Sequence, residues 1–329
     1  MSEIYADGFL GSLLAAESVL DGMTILHGPG GCRSMAMSMS TKRLDRQRKT
    51  KEGDFFFHNS RIACTYVDAE DYIYGASAKV GLVIDLLKSD DVRIATVVES
   101  PGASLIGDSI SDEVLRAGMS DKTVVIGSSN MSLRLSEGFD VTLTAIADKV
   151  VEPGTRDPDR VNVVGLPFIA HGYEFVQDEI RHLLGLMGLD VITFIGAGST
   201  VEELKETSQA CANVVVMPEY CRRLSDLYEQ KFGIPTVASP EGAPVGYHAV
   251  RTWILSVAEA TGRDPSKAIA EVDREERRTR RIMANNAGVS EYSRCRTYSI
   301  SAESSVVLPL SRFMTEMFGT VPHSICCVD

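Results

Sequence analysis

The chain has 329 residues, which exceeds one ordinary hydrophobic core and predicts two or three domains of about 100–150 residues each. With 44% hydrophobic and 24% charged residues, and no apolar run approaching the ~20 residues of a membrane span, its composition is that of a soluble globular protein and not of a membrane protein. The net charge of −12 argues against nucleic acid as a partner, because the phosphate backbone requires a positive face.

The first part of the chain alternates apolar runs of strand length with segments of helical periodicity. This alternation predicts a doubly wound parallel sheet of the Rossmann-like α/β class. Residues 54–60 break the helical period and predict a loop with a short strand. The other predicted elements are helix 10–20, strand 23–26, helix 76–87, strand 92–98, helix 105–117, strand 122–127 and helix 139–150.

A sharp turn is predicted directly after the first strand, where the sequence reads His27-Gly28-Pro29-Gly30-Gly31-Cys32. Glycine reaches backbone angles that other residues avoid, and proline fixes its own φ. A phosphate-binding loop would need Lys-Ser or Lys-Thr after the glycines, and Cys32-Arg33-Ser34 stands there. The turn therefore presents the Cys32 thiol at the carboxyl end of a strand, where open α/β sheets place their ligands.

Residues 152–159 have turn residues and charge without apolar periodicity, which predicts a domain boundary. A second Rossmann-like unit is predicted to follow, with strands 161–165, 190–195, 213–216 and 236–238 and helices 173–187, 201–210 and 218–231. In this interpretation Cys211 ends one helix and Cys221 lies in another, and residues 196–200 form a helix cap rather than a dinucleotide site, since the third glycine is missing.

Helices 245–260 and 265–285 follow, and strand 297–301, helix 306–318 and strand 321–328 look like the opening of a third α/β unit. We therefore predict a first domain over residues 1–155, a second over 156–262, and a helical linker with the start of an incomplete third domain over 263–329.

Seven cysteines, an odd number, in a chain without a secretory signal favour reduced thiols or metal ligands over a disulfide framework, and a cytoplasmic protein. The histidines lack zinc spacing, and no Gly-x-Ser-x-Gly elbow is present. His27 is interpreted as a turn residue that caps the glycine-rich loop. The adjacent Cys326 and Cys327 are expected to point in opposite directions if they lie on a strand, which disfavours a shared metal.

Four features together resemble the nitrogenase component 1 superfamily. They are the His-Gly-Pro-x-Gly-Cys turn at residues 27–32, a second cysteine at Cys64, the acidic segment at residues 70–75, and Leu-Ile-Gly-Asp at residues 105–108. Residues 161–165, 179–181 and 232–235 resemble the second domain of the same family, so the likeness extends over nearly the whole chain. Within the superfamily the pattern is most similar to the single-type subunit of Ni-sirohydrochlorin a,c-diamide reductive cyclases.

This resemblance implies a 4Fe–4S cluster with Cys32 and Cys64 as its metal-binding and cofactor-binding residues. The family's third cysteine position holds Glu99-Ser100-Pro101, so one chain supplies two thiols. Because such a cluster usually needs four thiolates, a two-fold symmetric homodimer would complete the set. The alternative is that both cysteines are inert buried thiols.

The activity implied is that of an oxidoreductase in coenzyme biosynthesis for methanogenesis. A separate ATP-dependent reductase resembling the nitrogenase iron protein, which alone would carry ATP–Mg, would deliver electrons through the cluster. The substrate would be Ni-sirohydrochlorin a,c-diamide, a nickel tetrapyrrole, reduced with closure of its γ-lactam ring. The alternatives are another nitrogenase-like reductase acting on protochlorophyllide, a chlorin or a small sulfur compound, and a non-enzymatic scaffold or ligand-binding protein.

Two charged segments are candidate contact sites. In the basic stretch at residues 42–51 we expect Arg43, Arg46 or Arg48 to contact substrate carboxylates or to cover the substrate pocket, unless the stretch is only a solvated loop. Glu70 and Asp71 lie in the acidic segment at residues 68–75, which we expect to form an acidic docking rim for the reductase together with the segment at residues 104–113. Ordinary helix capping by Asp68, Asp108 and Asp112 is the alternative.

Overall fold

The structure, a computed structural model, describes residues 7–43, 62–87, 92–127, 132–285 and 296–328. Within these residues the helices are α1 (Gly8–Glu17), α2 (Ser34–Arg43), α3 (Asp71–Tyr74), α4 (Ser77–Leu87), α5 (Pro101–Ser104), α6 (Ile110–Arg116), α7 (Leu135–Val150), α8 (Tyr173–Leu186), α9 (Val201–Glu206), α10 (Arg222–Phe232), α11 (Gly246–Thr261), α12 (Ser266–Asn285) and α13 (Ser304–Phe318). The strands are β1 (Gly22–His27), β2 (Ile62–Cys64), β3 (Ile94–Glu99), β4 (Thr123–Ile126), β5 (Asp157–Val164), β6 (Asp190–Ile195), β7 (Ala210–Val215), β8 (Thr236–Val237), β9 (Thr297–Ala302) and β10 (Val321–Cys327).

The chain divides into two compact units. Unit 1 comprises Met1–Glu152, Pro167–Tyr173 and Ile195–Glu206, and unit 2 comprises Pro153–Leu166, Glu174–Phe194 and Thr207–Asp329. The domain boundaries at residues 155 and 262 stay predictions.

Unit 1 is built on a sheet with strand order β2-β1-β3-β4, and its pairings are parallel. The side chains of Ile25 and Val97 project from one face of this sheet and pack with Ile84 of α4 and Val114 of α6. The opposite face is covered by α1 and α7, which also pack against each other. Helices on both faces of a parallel sheet confirm the predicted doubly wound α/β fold.

Helix α1 is predominantly apolar on all sides and almost entirely buried, because α7 and the sheet pack against it. Two glycines permit the close approach of α1 and α7. A Cβ on Gly11 would lie 2.0 Å from the Leu135 carbonyl oxygen, and one on Gly138 would lie 2.0 Å from the Gly8 carbonyl oxygen. Ser12 spans the contact by donating its hydroxyl to the carbonyls of Gly8 and Gly138.

The helix predicted at residues 105–117 begins five residues late, because only α6 is helical within this segment. Residues 105–109 form a loop between α5 and α6, with Gly107 at φ +76°. Asp108 turns inward, and its carboxylate accepts the Ala76 N–H at 2.8 Å. The left-handed backbone of Gly107 and the inward-facing Asp108 carboxylate are incompatible with a continuous helix through residues 107 and 108, although the apolar spacing alone predicted one.

Unit 2 contains the sheet β6-β5-β7-β8, in which β5, β7 and β8 run parallel. Trp253 of α11 is buried against this sheet and donates its indole N–H to the Val215 carbonyl at 2.9 Å. Cys211 lies in β7, which corrects its predicted place at a helix end, because the helix stops at Glu206 and the strand begins four residues later. Cys221 lies directly before α10 and is buried.

The last described part of unit 2 is a parallel pair, β9 and β10, connected by α13. Cys326 and Cys327 both lie on β10 and are exposed. These elements match the predicted strand, helix and strand at residues 297–328.

Candidate metal centre

The candidate site lies at the carboxyl edge of the unit 1 sheet, where β2, β1 and β3 end side by side. In register, Cys64 of β2 stands beside Leu26, and His27 at the end of β1 stands beside Glu99 of β3. The strand order changes direction at β1, and the crevice at such a switch point is where open α/β sheets bind ligands. Each of the three strands is followed by a loop that belongs to the site.

Cys64 is the last residue of β2 and is buried. Its Sγ lies 3.3 Å from the Gly28 carbonyl oxygen, to which the thiol donates, and accepts the Tyr66 N–H at 3.4 Å. The backbone N–H of Val67 also donates to Gly28 O, at 3.1 Å. The glycine-rich turn after β1 is therefore fastened directly to the segment that carries Cys64.

Cys32 lies in a 3₁₀ turn at Gly30–Arg33 and is exposed. Partial burial raises the pKa of its thiol, and the neighbouring Cys64 raises it further. The turn that carries Cys32 follows β1, and Cys64 ends the neighbouring strand β2. A bound cation would instead lower the pKa of the Cys32 thiol, since metal ligation favours the thiolate form.

The position where a third cysteine is missing has a structural role. Ser100 is fully buried, caps α5 by accepting the Ala103 N–H at 3.3 Å, and donates its own N–H to His27 O. A Cβ on Gly28 would lie 2.2 Å from Ser100 Oγ, so the serine packs against the glycine-rich turn.

The donor set offers two thiols at one edge of the sheet. Among the described residues, no group of three or more His, Cys, Asp or Glu side chains could hold a metal ion. Two soft sulfur donors, one exposed and one buried, fit half of a four-thiolate iron–sulfur site.

The sequence interpretation missed the network around His27. Its imidazole is fully buried, with Nδ1 3.1 Å from Thr65 Oγ1 and Nε2 3.5 Å from Asp108 Oδ2. Thr65 Oγ1 also accepts the Gly28 N–H at 3.0 Å. His27 therefore links the ends of β1 and β2 to the loop before α6, and is more than a cap for the glycine-rich loop.

We expect the folded protein to lose stability below neutral pH through His27. Burial lowers the pKa of His27 below its ordinary 6.5, and the Asp108 carboxylate only partly offsets this. The unfolded chain therefore takes up the proton first, so stability is complete above about pH 6.5 and falls as the pH drops below it. Each unit of lowering in the pKa is worth about 1.4 kcal/mol.

Chemical unfolding of the metal-free protein at pH 7.5 and pH 5.5, followed by circular dichroism, measures this loss. His27→Gln should be less stable at pH 7.5 but show a smaller fall between the two values. An equal fall in both proteins would assign the pH dependence to other groups.

The structure places the two candidate docking carboxylates differently from each other. Glu70 is exposed, whereas Asp71 is buried, with only 8% of its surface accessible. The Asp71 carboxylate accepts the Asp68 N–H at 2.7 Å and pairs with Lys79, and hydrogen bonding to Asp71 is the main cause that raises the pKa of Lys79. The interpretation of Asp71 as part of an acidic rim is therefore corrected, because a buried, paired carboxylate presents little charge to a partner.

The three residues that follow Asp71, together with Leu105, present large aromatic and aliphatic side chains to the outside. Ile73, Tyr74 and Leu105 are 74%, 84% and 86% exposed, and Tyr72 is 44% exposed. A Cβ on Gly102 would lie 2.6 Å from the Tyr72 hydroxyl, so α3 and α5 adjoin. We call these four side chains the apolar patch. In the sequence, only the Tyr-Ile-Tyr run at residues 72–74 indicated this patch. The prediction of an acidic docking rim considered the charges of the segment and overlooked these apolar residues.

The candidate substrate residues lie at the limit of what the structure describes. Arg43 is the last residue of α2, where the backbone but not the side chain is described, and Arg46 and Arg48 lie outside the described residues. Glu17 anchors this helix, since its carboxylate accepts the hydroxyls of Ser40 at 2.6 Å and Thr24 at 2.7 Å. The helix that leads into the basic stretch is thus fixed to α1 and β1.

In the part of the chain that the structure describes, no helix is both long and apolar enough to cross a membrane.

Comparison with known proteins gives concordant results. Residues 8–327 match the family described as Nitrogenase component 1 type Oxidoreductase. The nitrogenase molybdenum-iron protein beta chain of Methanococcus maripaludis is 23% identical, and the match covers 96% of this chain and 71% of that protein. A light-independent protochlorophyllide reductase subunit of Halorhodospira halophila is 26% identical over 53% of this chain and 36% of its own length.

A solved structure titled "Nitrogenase Cp1 at pH 6.5" superimposes with a TM-score of 0.74 at 16% identity, covering 96% of this chain and 69% of that chain. At this identity the likeness concerns the fold. Because the family match covers nearly the whole chain, the protein belongs to the nitrogenase component 1 type oxidoreductase family.

Proposed function

We propose that this oxidoreductase is the substrate-reducing subunit of a nitrogenase-like reductive cyclase, working as a homodimer that shares one 4Fe–4S cluster. The observation that carries the proposal is the position of Cys64 at the end of β2 and of Cys32 in the turn after β1, which places two thiols per chain at one edge of the unit 1 sheet. When bound, such a cluster supplies one-electron transfer. The proposed substrate is Ni-sirohydrochlorin a,c-diamide, and the proposed electron donor is an iron-protein-like reductase that carries ATP–Mg itself.

In this proposal the chain's own residues hold and shield the cluster. Cys32 and Cys64 would be its ligands, and ligation would replace the hydrogen bond from the Cys64 thiol to Gly28 O. Gly31 leaves open space beside Cys32, since a Cβ there would meet no atom within 4 Å. The His27 network and the Ser100 cap support the turn from below without supplying ligands.

The second copy follows from the number of ligands. Two thiols from each chain make four only if two chains meet near Cys32. The apolar patch lies on α3 and directly after α5, in the segments that follow β2 and β3 at the same edge. Exposed large apolar side chains grouped in this way are typical of protein interfaces. We infer that another copy of this chain covers the patch.

A pair of variants separates the dimer contact from the reductase contact. Ile73→Asp should convert the dimer into monomers, because it places a charge in the apolar patch that the second copy would bury. Glu70→Lys should leave the dimer intact and slow reductase-driven turnover at low salt, since rim charges act mainly on association rate.

Sedimentation velocity and salt-dependent turnover measure these two effects. A dimeric Ile73→Asp protein would contradict the assignment of the apolar patch. Turnover of Glu70→Lys equal to that of the unchanged protein would place the reductase elsewhere.

The proposed substrate bears several carboxylates, for which arginine provides planar bidentate partners. We propose Arg43, Arg46 and Arg48 as these partners, since α2 leads from Cys32 directly into this stretch. Replacing all three by Gln should weaken tetrapyrrole binding by at least about tenfold, in line with the loss of charge-assisted hydrogen bonds, while iron content stays unchanged. Unaltered affinity, measured by absorbance titration, would show that the stretch is only solvated.

An anaerobic single-turnover assay with the partner reductase, ATP and candidate tetrapyrroles tests the function as a whole. Reduction of Ni-sirohydrochlorin a,c-diamide with lactam closure supports the proposal. The similarity to the light-independent protochlorophyllide reductase favours protochlorophyllide as the second candidate, and its reduction in place of the nickel substrate would select that function. An iron-loaded protein that reduces neither would favour a scaffold for cluster assembly.

A further inference from the structure

Tyr66 has an unusual backbone. Its φ is +50°, and it is the only non-glycine residue with positive φ among those that the structure describes. A side chain in the left-handed region costs roughly 1–2 kcal/mol, and such strain persists where the surrounding structure requires it. Tyr66 follows Cys64 by two residues, so the strain lies next to the thiol pair.

The ring of Tyr66 packs on the turn that carries Cys32. A Cβ on Gly30 would lie 2.7 and 2.8 Å from two of the ring carbons, so the ring occupies the space that a side chain at this position would need. Arg33, the residue after Cys32, donates from its guanidinium to the Tyr66 hydroxyl and places its Cζ 5.0 Å from the ring centroid. Arg33 also donates to the Ile62 carbonyl of β2 at 3.3 Å.

The backbone of Tyr66 is held at the same time. Its N–H donates to Cys64 Sγ at 3.4 Å, and its carbonyl accepts from Lys79 Nζ at 3.4 Å. Tyr66 therefore touches the Cys64 sulfur through its backbone and the Cys32 turn through its ring. An extended backbone would direct the side chain differently, which gives the left-handed conformation a physical reason.

We propose that Tyr66 is a positioning residue that fixes the Cys32 turn against Cys64, with Gly30 and Arg33 as the groups on which its side chain acts. The identity of the group that Cys32 and Cys64 bind rests on the proposed function. The positioning role of Tyr66 does not, because it concerns only where the two thiols lie.

The test uses the metal-free full-length chain under anaerobic conditions. Alkylation of the buried Cys64 by iodoacetamide is followed over time by peptide mass spectrometry. Tyr66→Gly removes the ring and also accommodates the positive φ, so the variant should fold. Because the Cys32 turn loses the ring that holds it against Cys64, Cys64 should become more accessible and be alkylated about five- to tenfold faster.

Gly30→Ala should speed the alkylation in the same way, because the added Cβ would displace the Tyr66 ring from the turn. Tyr66→Phe retains the ring and should stay within about twofold of the unchanged protein. Phe175→Ala, which removes an exposed aromatic ring in unit 2, is the matched control and should not alter the rate. Unchanged alkylation in both Tyr66→Gly and Gly30→Ala would overturn the proposal.

Iron uptake by the same proteins is a separate measurement. An unchanged chain that takes up no iron would contradict the proposed function, and the alkylation rates would still decide on Tyr66. If the unchanged chain binds iron and Tyr66→Gly alters the electron paramagnetic resonance signal of the reduced cluster while Phe175→Ala does not, the positioning role extends to the loaded site.

Discussion

Cys32→Ala and Cys64→Ala proteins, each reconstituted without oxygen, are expected to contain no 4Fe–4S cluster, whereas the unchanged chain should hold about four iron atoms per dimer. Each substitution removes two of the four proposed thiolates at once, because the site is shared by two copies. Iron analysis and the visible absorption of the cluster measure the loss. Near-complete loss in both variants is the largest functional effect we expect.

Cys211→Ala is the matched control, since this partly buried thiol lies in β7 of unit 2, outside the candidate site. Its iron content should equal that of the unchanged chain. Circular dichroism would show that the site variants remain folded, as expected when a sulfur is replaced by a smaller group. Full iron in Cys64→Ala alone would retain Cys32 as a ligand and require donors other than Cys64. Full iron in both would refute the cluster site.

The fold was largely predictable because its signals are local. Buried parallel strands such as β1 and β3 consist mostly of apolar residues, and the helices between them keep helical spacing. The placement of Cys32 at the carboxyl end of β1 was predictable for a related reason. Cys32 follows β1 and Cys64 ends β2, and these parallel strands end at the same edge of one sheet, so the position of both residues depends on topology more than on side-chain detail.

The errors concern residues whose state is set by tertiary contacts. Asp71 was predicted to be an exposed charge, yet its carboxylate is buried, accepts the Asp68 N–H and pairs with Lys79. The helical pattern of the sequence reveals neither contact. The break between α5 and α6 depends on the partnership of Asp108 with Ala76, 32 residues away. Tyr66 was passed over because a left-handed tyrosine has no sequence signature. Functional sites are where local rules are most often violated.

Gly11→Ala is expected to destabilise unit 1 by about 3 kcal/mol, the upper part of the usual range for overpacking. The added methyl would lie 2.0 Å from the Leu135 carbonyl oxygen and 2.9 Å from the Phe139 nitrogen, and both neighbours are backbone atoms that cannot rotate away. Relief requires α1 and α7 to separate, which would open the core and weaken the Ser12 hydrogen bonds to Gly8 and Gly138. Chemical unfolding followed by circular dichroism measures the change.

Gly185→Ala is the control for glycine replacement itself. It lies near the end of α8, where an added Cβ would meet nothing within 4 Å, and alanine favours the helix by roughly 0.5 kcal/mol or more. Stability should therefore rise slightly in this variant and fall sharply in Gly11→Ala. Because α1 leads through β1 into the Cys32 turn, Gly11→Ala should also speed the alkylation of Cys64, which is buried in the folded chain. Equal stability of the two variants would mean that α1 and α7 do not approach as closely as the structure shows.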